Sequence, residues 1–169
     1  MGFLQQCAGV FMAEIGRAWH DQELEIRHEH FASACLSDFL REAREPFDHE
    51  ARGPRVAVAT LPGEAHEGGL LMASLVIAMR GLRVVYLGAD TPVEQIAAAV
   101  RSGGIEAVAI SVSSASSGVR TSRSVARLRG VLPRRIPLWV GGAGAPVRVK
   151  GVEGFATLEA FDAWLAAEF

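Results

Sequence analysis

The stretch RVAVATLPGEAHEGGLLMASLVIAMRG, residues 55–81, decides the reading of this chain. Val56–Leu61 is a short β-branched apolar run, the pattern of a buried strand. Pro62–Gly69 follows as a Gly-containing loop. Leu70–Arg80 is apolar at helical spacing, and Gly81 suits the left-handed residue just past a helix end.

The alternation continues to the C-terminus. Leu82–Leu87 reads as a strand, and Thr91 and Pro92 as the cap and first position of a helix that ends at Gly103-Gly104. Ala107–Val112 reads as a strand, Val119–Leu132 as a helix closed by Pro133, Pro137–Val140 as a strand, and Leu158–Glu168 as a last amphipathic helix. Short connections between alternating elements fit only a parallel sheet with helices on both faces. Residues 55–169 are therefore expected to form a doubly wound α/β domain, with its ligand at the carboxyl ends of the strands.

Upstream the pattern changes. Residues 1–45 contain no Pro, and Cys7, Phe11, Ile15 and Trp19 recur every four residues, as one face of a helix does. A second helical pattern runs to about Arg44 with Leu24, Phe31, Cys35 and Phe39 as its core stripe, and Asp21 suits its N-cap. The expectation is a two-helix cap over residues 1–45 and a polar, Pro-bounded linker over 46–54. A two-helix hairpin leaves an apolar face uncovered. Phe3, Leu4, Phe11 and Met12 are expected on that face, where self-association would cover them.

Composition removes several function classes. The 169 residues are 50% hydrophobic and 21% charged, which suits one domain with a helical appendage. A net charge of -2 argues against a nucleic-acid binder working by bulk electrostatics. Cys7 and Cys35 have no close-spaced partner, so neither a disulfide framework nor a Cys-rich zinc site is expected, and a reducing, cytosolic setting fits. No apolar run reaches the roughly 18 residues of a membrane span, and the N-terminus lacks a signal-peptide pattern.

Three strand ends carry the chemistry. The first holds Glu64-Ala65-His66, a carboxylate beside an imidazole that suits a metal ligand, a general base or a plain surface histidine. The third holds Ser111-Val112-Ser113, which offers small hydroxyls or an ordinary helix-capping turn. The fourth holds Gly141-Gly142, which permits close approach of a ligand or an ordinary turn. The spacing joins them: Glu64-x-His66-x-x-Gly69, then residues 70–110, then Ser111-x-Ser113, then residues 114–140, then Gly141-Gly142. This resembles the cobalamin-binding domain of methionine synthase, the mutases and the corrinoid proteins, whose Asp-x-His-x-x-Gly, Ser-x-Leu and Gly-Gly motifs stand at similar spacing. Here Glu64 replaces the Asp and Ser113 replaces the Leu.

The resemblance implies a Rossmann-like cobalamin-binding fold over residues 55–169. It implies that His66 is the lower cobalt ligand in a base-off, His-on state, with Glu64 on its other ring nitrogen. The displaced nucleotide tail would lie among Gly69, Ser111, Ser113, Gly141 and Gly142. The cap adds a second signature, since Trp19 is followed after residues 20–28 by Glu29-His30. This resembles the CarH and LitR light-dependent transcriptional regulators, which carry adenosylcobalamin between a helical bundle and a cobalamin-binding domain. It implies that Trp19, Glu29 and His30 cover the adenosyl group, and that His20 takes the upper cobalt position after photolysis.

The function implied is a cobalamin-binding light sensor without catalytic turnover, using adenosylcobalamin, or methylcobalamin in a variant of the scheme. No winged-helix DNA-binding segment is recognisable, so its output needs a transcription-regulatory partner or a DNA-binding domain outside this stretch, and direct nucleic-acid or membrane binding is not expected. The alternative is a corrinoid methyl carrier serving a methyltransferase. A dinucleotide-binding Rossmann domain would need a Gly-x-Gly-x-x-Gly turn, and a Ser hydrolase a Gly-x-Ser-x-Gly elbow; the sequence has neither.

Overall fold

In a computed structural model of the chain, which describes residues 4–146 and 149–169, five parallel strands run in the order β2-β1-β3-β4-β5. They are β1 (Arg55–Thr60), β2 (Arg83–Gly88), β3 (Ala107–Ser111), β4 (Leu138–Gly141) and β5 (Glu153–Phe155). This is the doubly wound architecture expected from the alternation. The pleat sorts the strand residues between two cores. Ala57, Ala59, Val108, Ile110, Leu138 and Val140 face one side, with α4 (Val93–Ser102) and α5 (Val119–Val131). Val56, Val58, Ala107, Ala109 and Trp139 face the other, with α3 (Gly68–Met79) and α6 (Leu158–Glu168).

α3 explains the cap. Its sequence GGLLMASLVIAM has no polar face, and an all-round apolar helix must be covered on both sides. The sheet covers one side. The other is covered by α2 (Ile26–Glu50), whose Leu36, Leu40 and Ala43 join the same core as Leu70, Leu71 and Leu75. A π-helical turn, Leu4–Gly9, leads into α1 (Val10–His20) and adds Leu4 and Ala8 to that core.

The cap departs from its expected pattern in several ways. Leu4 is buried and Met12 half-buried, rather than exposed. Phe31, Cys35 and Phe39 point outward and only Leu24 is half-buried, because the stripe that meets α3 is Leu36, Leu40 and Ala43. Two apolar stripes share α2, and periodicity could not choose between them. Cys7 in the π-helical turn and Phe11 and Trp19 in α1 are likewise exposed. Asp21 closes α1, and Glu25, in extended conformation, stands at the N-cap of α2. α2 passes through Pro46 to Glu50, beyond the expected linker start. The proline removes one helical donor, but both Pro46 and Glu42, whose carbonyl loses its partner, are exposed to water. Phe3 lies outside the described residues.

Elsewhere the differences are small. Pro92 rather than Thr91 occupies the N-cap of α4, and the Thr91 hydroxyl donates to the Gly88 carbonyl at 3.0 Å instead. β5 was not expected; three residues centred on Gly154 are too short to show a period. Among the described residues no helix is long and apolar enough to cross a membrane.

Leu40→Ala removes the side chain that seals α2 against α3. A loss of about 2–5 kcal/mol is expected, read by urea denaturation, with faster amide exchange along α2 than along the sheet.

Candidate functional site

The connections leaving β1 and β3 diverge, one toward β2 and the other toward β4, and this opens a crevice at their carboxyl ends. The loop after β1 is folded back into the crevice by residues that the sequence did not single out. Thr60, wholly buried at the end of β1, donates through its hydroxyl to the Glu64 carbonyl at 2.6 Å and accepts from the Asp90 N–H at 2.9 Å. The Gly63 N–H donates to the Asp90 carboxylate at 2.7 Å. Asp90 adopts φ +50°, a region that Asp tolerates because its short polar side chain bonds locally. Its place in Gly88-Ala89-Asp90-Thr91-Pro92 marks it as a turn residue, the one hint the sequence offered.

The clamp buries the Glu64 side chain, which is 4% exposed. Its Oε1 accepts from the His66 N–H at 2.9 Å and lies 2.6 Å from His66 Nδ1. Its Oε2 accepts from the Ser113 N–H at 2.8 Å. Burial works to raise the Glu64 pKa. The Ser113 side chain, the backbone N–H groups of His66 and Ser113 and the imidazole outweigh it and hold the carboxyl at about 2. An ionised carboxylate can only accept, so Nδ1 of the neutral imidazole carries the proton and Nε2 keeps its lone pair. The His66 side chain is 64% exposed, so that lone pair is open to a ligand. Ser113 sits under this pair, with its Oγ 3.4 Å from Nδ1.

Beside the pair lies a cavity of about 190 Å³ between α3, β3, β4 and the start of α6. Gly69, Ser111, Gly141 and Gly142, far apart in the chain, all line it; Ser113 does not. One of the glycines is required by space and a second is close-packed against a side chain that would have to turn away. A Cβ on Gly69 would stand 2.8 Å from the Ser111 Oγ, and one on Gly142, where φ is +105°, would run into the Val112 carbonyl. Trp139, Phe155 and Phe161 complete the apolar wall. The Trp139 indole N–H is buried without an acceptor among the described residues. Residues 54–159 match the B12 binding domain family.

This chain belongs to the B12-binding domain family. It is 34% identical over 138 residues to the HTH-type transcriptional repressor CarH of Myxococcus xanthus, a match covering 79% of this chain and 44% of the relative. It is 33% identical over 130 residues to the repressor CarA of the same organism, covering 76% and 44%. The chain thus spans less than half the length of these curated relatives. The monomethylamine corrinoid protein of Methanosarcina barkeri shares the fold, with a TM-score of 0.72, 19% identity, and coverage of 99% of this chain and 82% of that one.

The cap residues of this B12-binding chain flank the turn between α1 and α2. Trp19, 50% exposed, lies in the last turn of α1, and Glu29 and His30 in the first turns of α2. Glu29 bonds within the cap, to Ser33 Oγ at 2.8 Å and His30 Nδ1 at 2.9 Å. The side chain of His20 lies outside the described residues. His28 and His49 are exposed.

Glu64 fixes a pH dependence. Its pKa, lowered from 4.5 to about 2, makes its contribution to stability full above pH 4.5 and progressively lost as pH falls toward 2. Glu64→Gln is expected to cost about 1–3 kcal/mol at neutral pH, and denaturation series should show the gap from wild type closing between about pH 4.5 and 2.

Proposed function

We propose that the chain is an adenosylcobalamin-dependent light-sensing module of a transcriptional regulator, without catalytic turnover. The supporting observation is the Glu64–His66 pair: a buried carboxylate fixes the tautomer and leaves an outward nitrogen lone pair near an apolar cavity that has glycines and a serine in its lining. Metal-binding imidazoles are held in this way by a carboxylate on the other ring nitrogen. His66 would be the lower cobalt ligand and Glu64 its orienting partner. Gly69, Ser111, Gly141 and Gly142 would leave room for the nucleotide base, and the unpaired Trp139 N–H fits a ligand that brings an acceptor. Ser113 would act on Glu64 and His66 rather than on the tail.

When bound, adenosylcobalamin supplies a cobalt–carbon bond that visible light breaks. The chain's part is to cover that bond and to respond to its loss. Trp19, Glu29 and His30 would cover the upper face, and His20 would offer an imidazole to the metal there once the adenosyl group has gone. The exposed side chains of Phe11, Trp19 and Phe31 on the cap support a face that either the cofactor or a second copy covers. Identity to the CarH and CarA repressors over most of this chain supports a regulatory output through DNA-binding or partner segments outside it. A second reading, a methyl carrier for a methyltransferase, is favoured by the fold shared with the corrinoid protein.

One experiment separates the readings. The protein is loaded with adenosylcobalamin in darkness, and its absorption spectrum and oligomeric state are recorded before and after green light. A sensor shows an irreversible spectral change with a change of assembly. Equal uptake of methylcobalamin, with photolysis followed by neither a new protein ligand on the metal nor a change of assembly, supports the carrier. Glu64→Gln is expected to weaken cobalamin binding by about 10–100-fold, measured by spectroscopic titration, and His66→Ala to remove the axial nitrogen altogether.

A further inference from the structure

His66 is braced on both sides. Glu64 braces it from the α/β domain; the second brace comes from the cap. Glu67, the next residue and the N-cap position of α3, has each carboxylate oxygen held by a different element. Arg41 Nη2 of α2 donates to its Oε2 at 3.1 Å, and the Tyr86 hydroxyl of β2 donates to its Oε1 at 3.3 Å. Arg44, one turn along α2, lies over the Tyr86 ring at 5.7 Å and is itself held by Asp48 at 2.7 Å. Met12 of α1 packs against Gly68. Both cap helices therefore touch the two residues that follow His66.

We infer that Arg41 is a positioning residue for His66, joining the seat of the cap to the placement of the lower cobalt ligand through Glu67. The inference rests on His66 being that ligand. A half-exposed ion pair adds little to stability. What this pair fixes is register. Moving α2 along or away from α3 pulls the carboxylate that begins the helix, and His66 is one peptide bond upstream. Tyr86 prevents Glu67 from following Arg41 freely, so displacement of the cap strains the loop between Glu64 and Glu67. Coupling of this kind is reciprocal: a ligand that pulls on His66 also shifts the cap.

The test uses the full chain with Arg41→Gln, the conservative Arg41→Lys, and Arg27→Gln as a control in an exposed cap pair away from the site. Two readouts are taken: amide exchange of residues 62–71 in the cofactor-free protein, and electron paramagnetic resonance of the bound Co(II) cobalamin, where an axial nitrogen splits the lines. Arg41→Gln is expected to speed exchange and to lower the ratio of nitrogen-ligated to unligated cobalt, each by about fivefold. Arg41→Lys should restore most of both, and Arg27→Gln should match wild type. Faster exchange with an unchanged nitrogen signature makes Arg41 a structural contact and overturns the inference, as does no change in either readout. A wild-type chain that takes up no cobalamin overturns the reading of the site itself, and the role of Arg41 falls with it.

Discussion

The site depends on one buried carboxylate. Glu64 is almost wholly buried, so its charge is tolerated only because four donors from two loops converge on it. That requirement locks the β1 and β3 connections together across the crevice, because Ser113 cannot leave without orphaning a buried oxygen. It also sets the imidazole, since the same oxygen that takes the His66 N–H takes the Nδ1 proton. Glu in place of Asp is one methylene longer. Here the carboxylate reaches the Ser113 N–H while remaining beside His66, in a loop held by Thr60 and Asp90.

The cap is placed by a second constraint, the missing polar face of α3. A surface helix with Leu, Leu, Leu, Val and Ile on all sides would be an open apolar patch. Packing α2 along it removes the patch and, because α3 starts directly after the His66 loop, sets the cap at the mouth of the crevice. Core packing rather than any cap-to-loop hydrogen bond does most of this work. The polar contacts of Arg41, Glu67 and Tyr86 then tune where along α3 the cap sits.

The doubly wound sheet was legible because its strands and helices alternate with different periods and end at Gly or Pro. The meeting of Gly69, Ser111, Gly141 and Gly142 was legible because Ser111 and Gly141-Gly142 stand at strand ends and Gly69 just past the loop that leaves β1, and strand ends share one edge of a parallel sheet. The cap was legible as two helices but not in orientation. Phe31, Cys35 and Phe39 form as regular a stripe as Leu36, Leu40 and Ala43, and only the partner helix decides which is inside. Thr60, Arg41, Glu67 and Tyr86 were not legible as site residues, and Asp90 was legible only as a turn residue. Each acts through a contact between segments distant in sequence, and no spacing rule reports such contacts.

The outward aromatic face bears on how such a domain could signal. Exposed aromatic side chains on the cap, Phe31 at 72% and Trp19 at 50%, gain free energy from any cover, whether cofactor or protein. If a bound upper ligand provides that cover, losing it re-exposes these side chains, and the drive to bury them passes to whatever surface is nearest. The α/β domain need not change shape for the assembly to change. A carrier, in contrast, must open its upper face to a methyltransferase in every cycle and is penalised by a sticky cap. These exposed aromatic side chains would therefore suit the proposed sensor better than the proposed carrier, by a physical argument independent of the identity to the repressors.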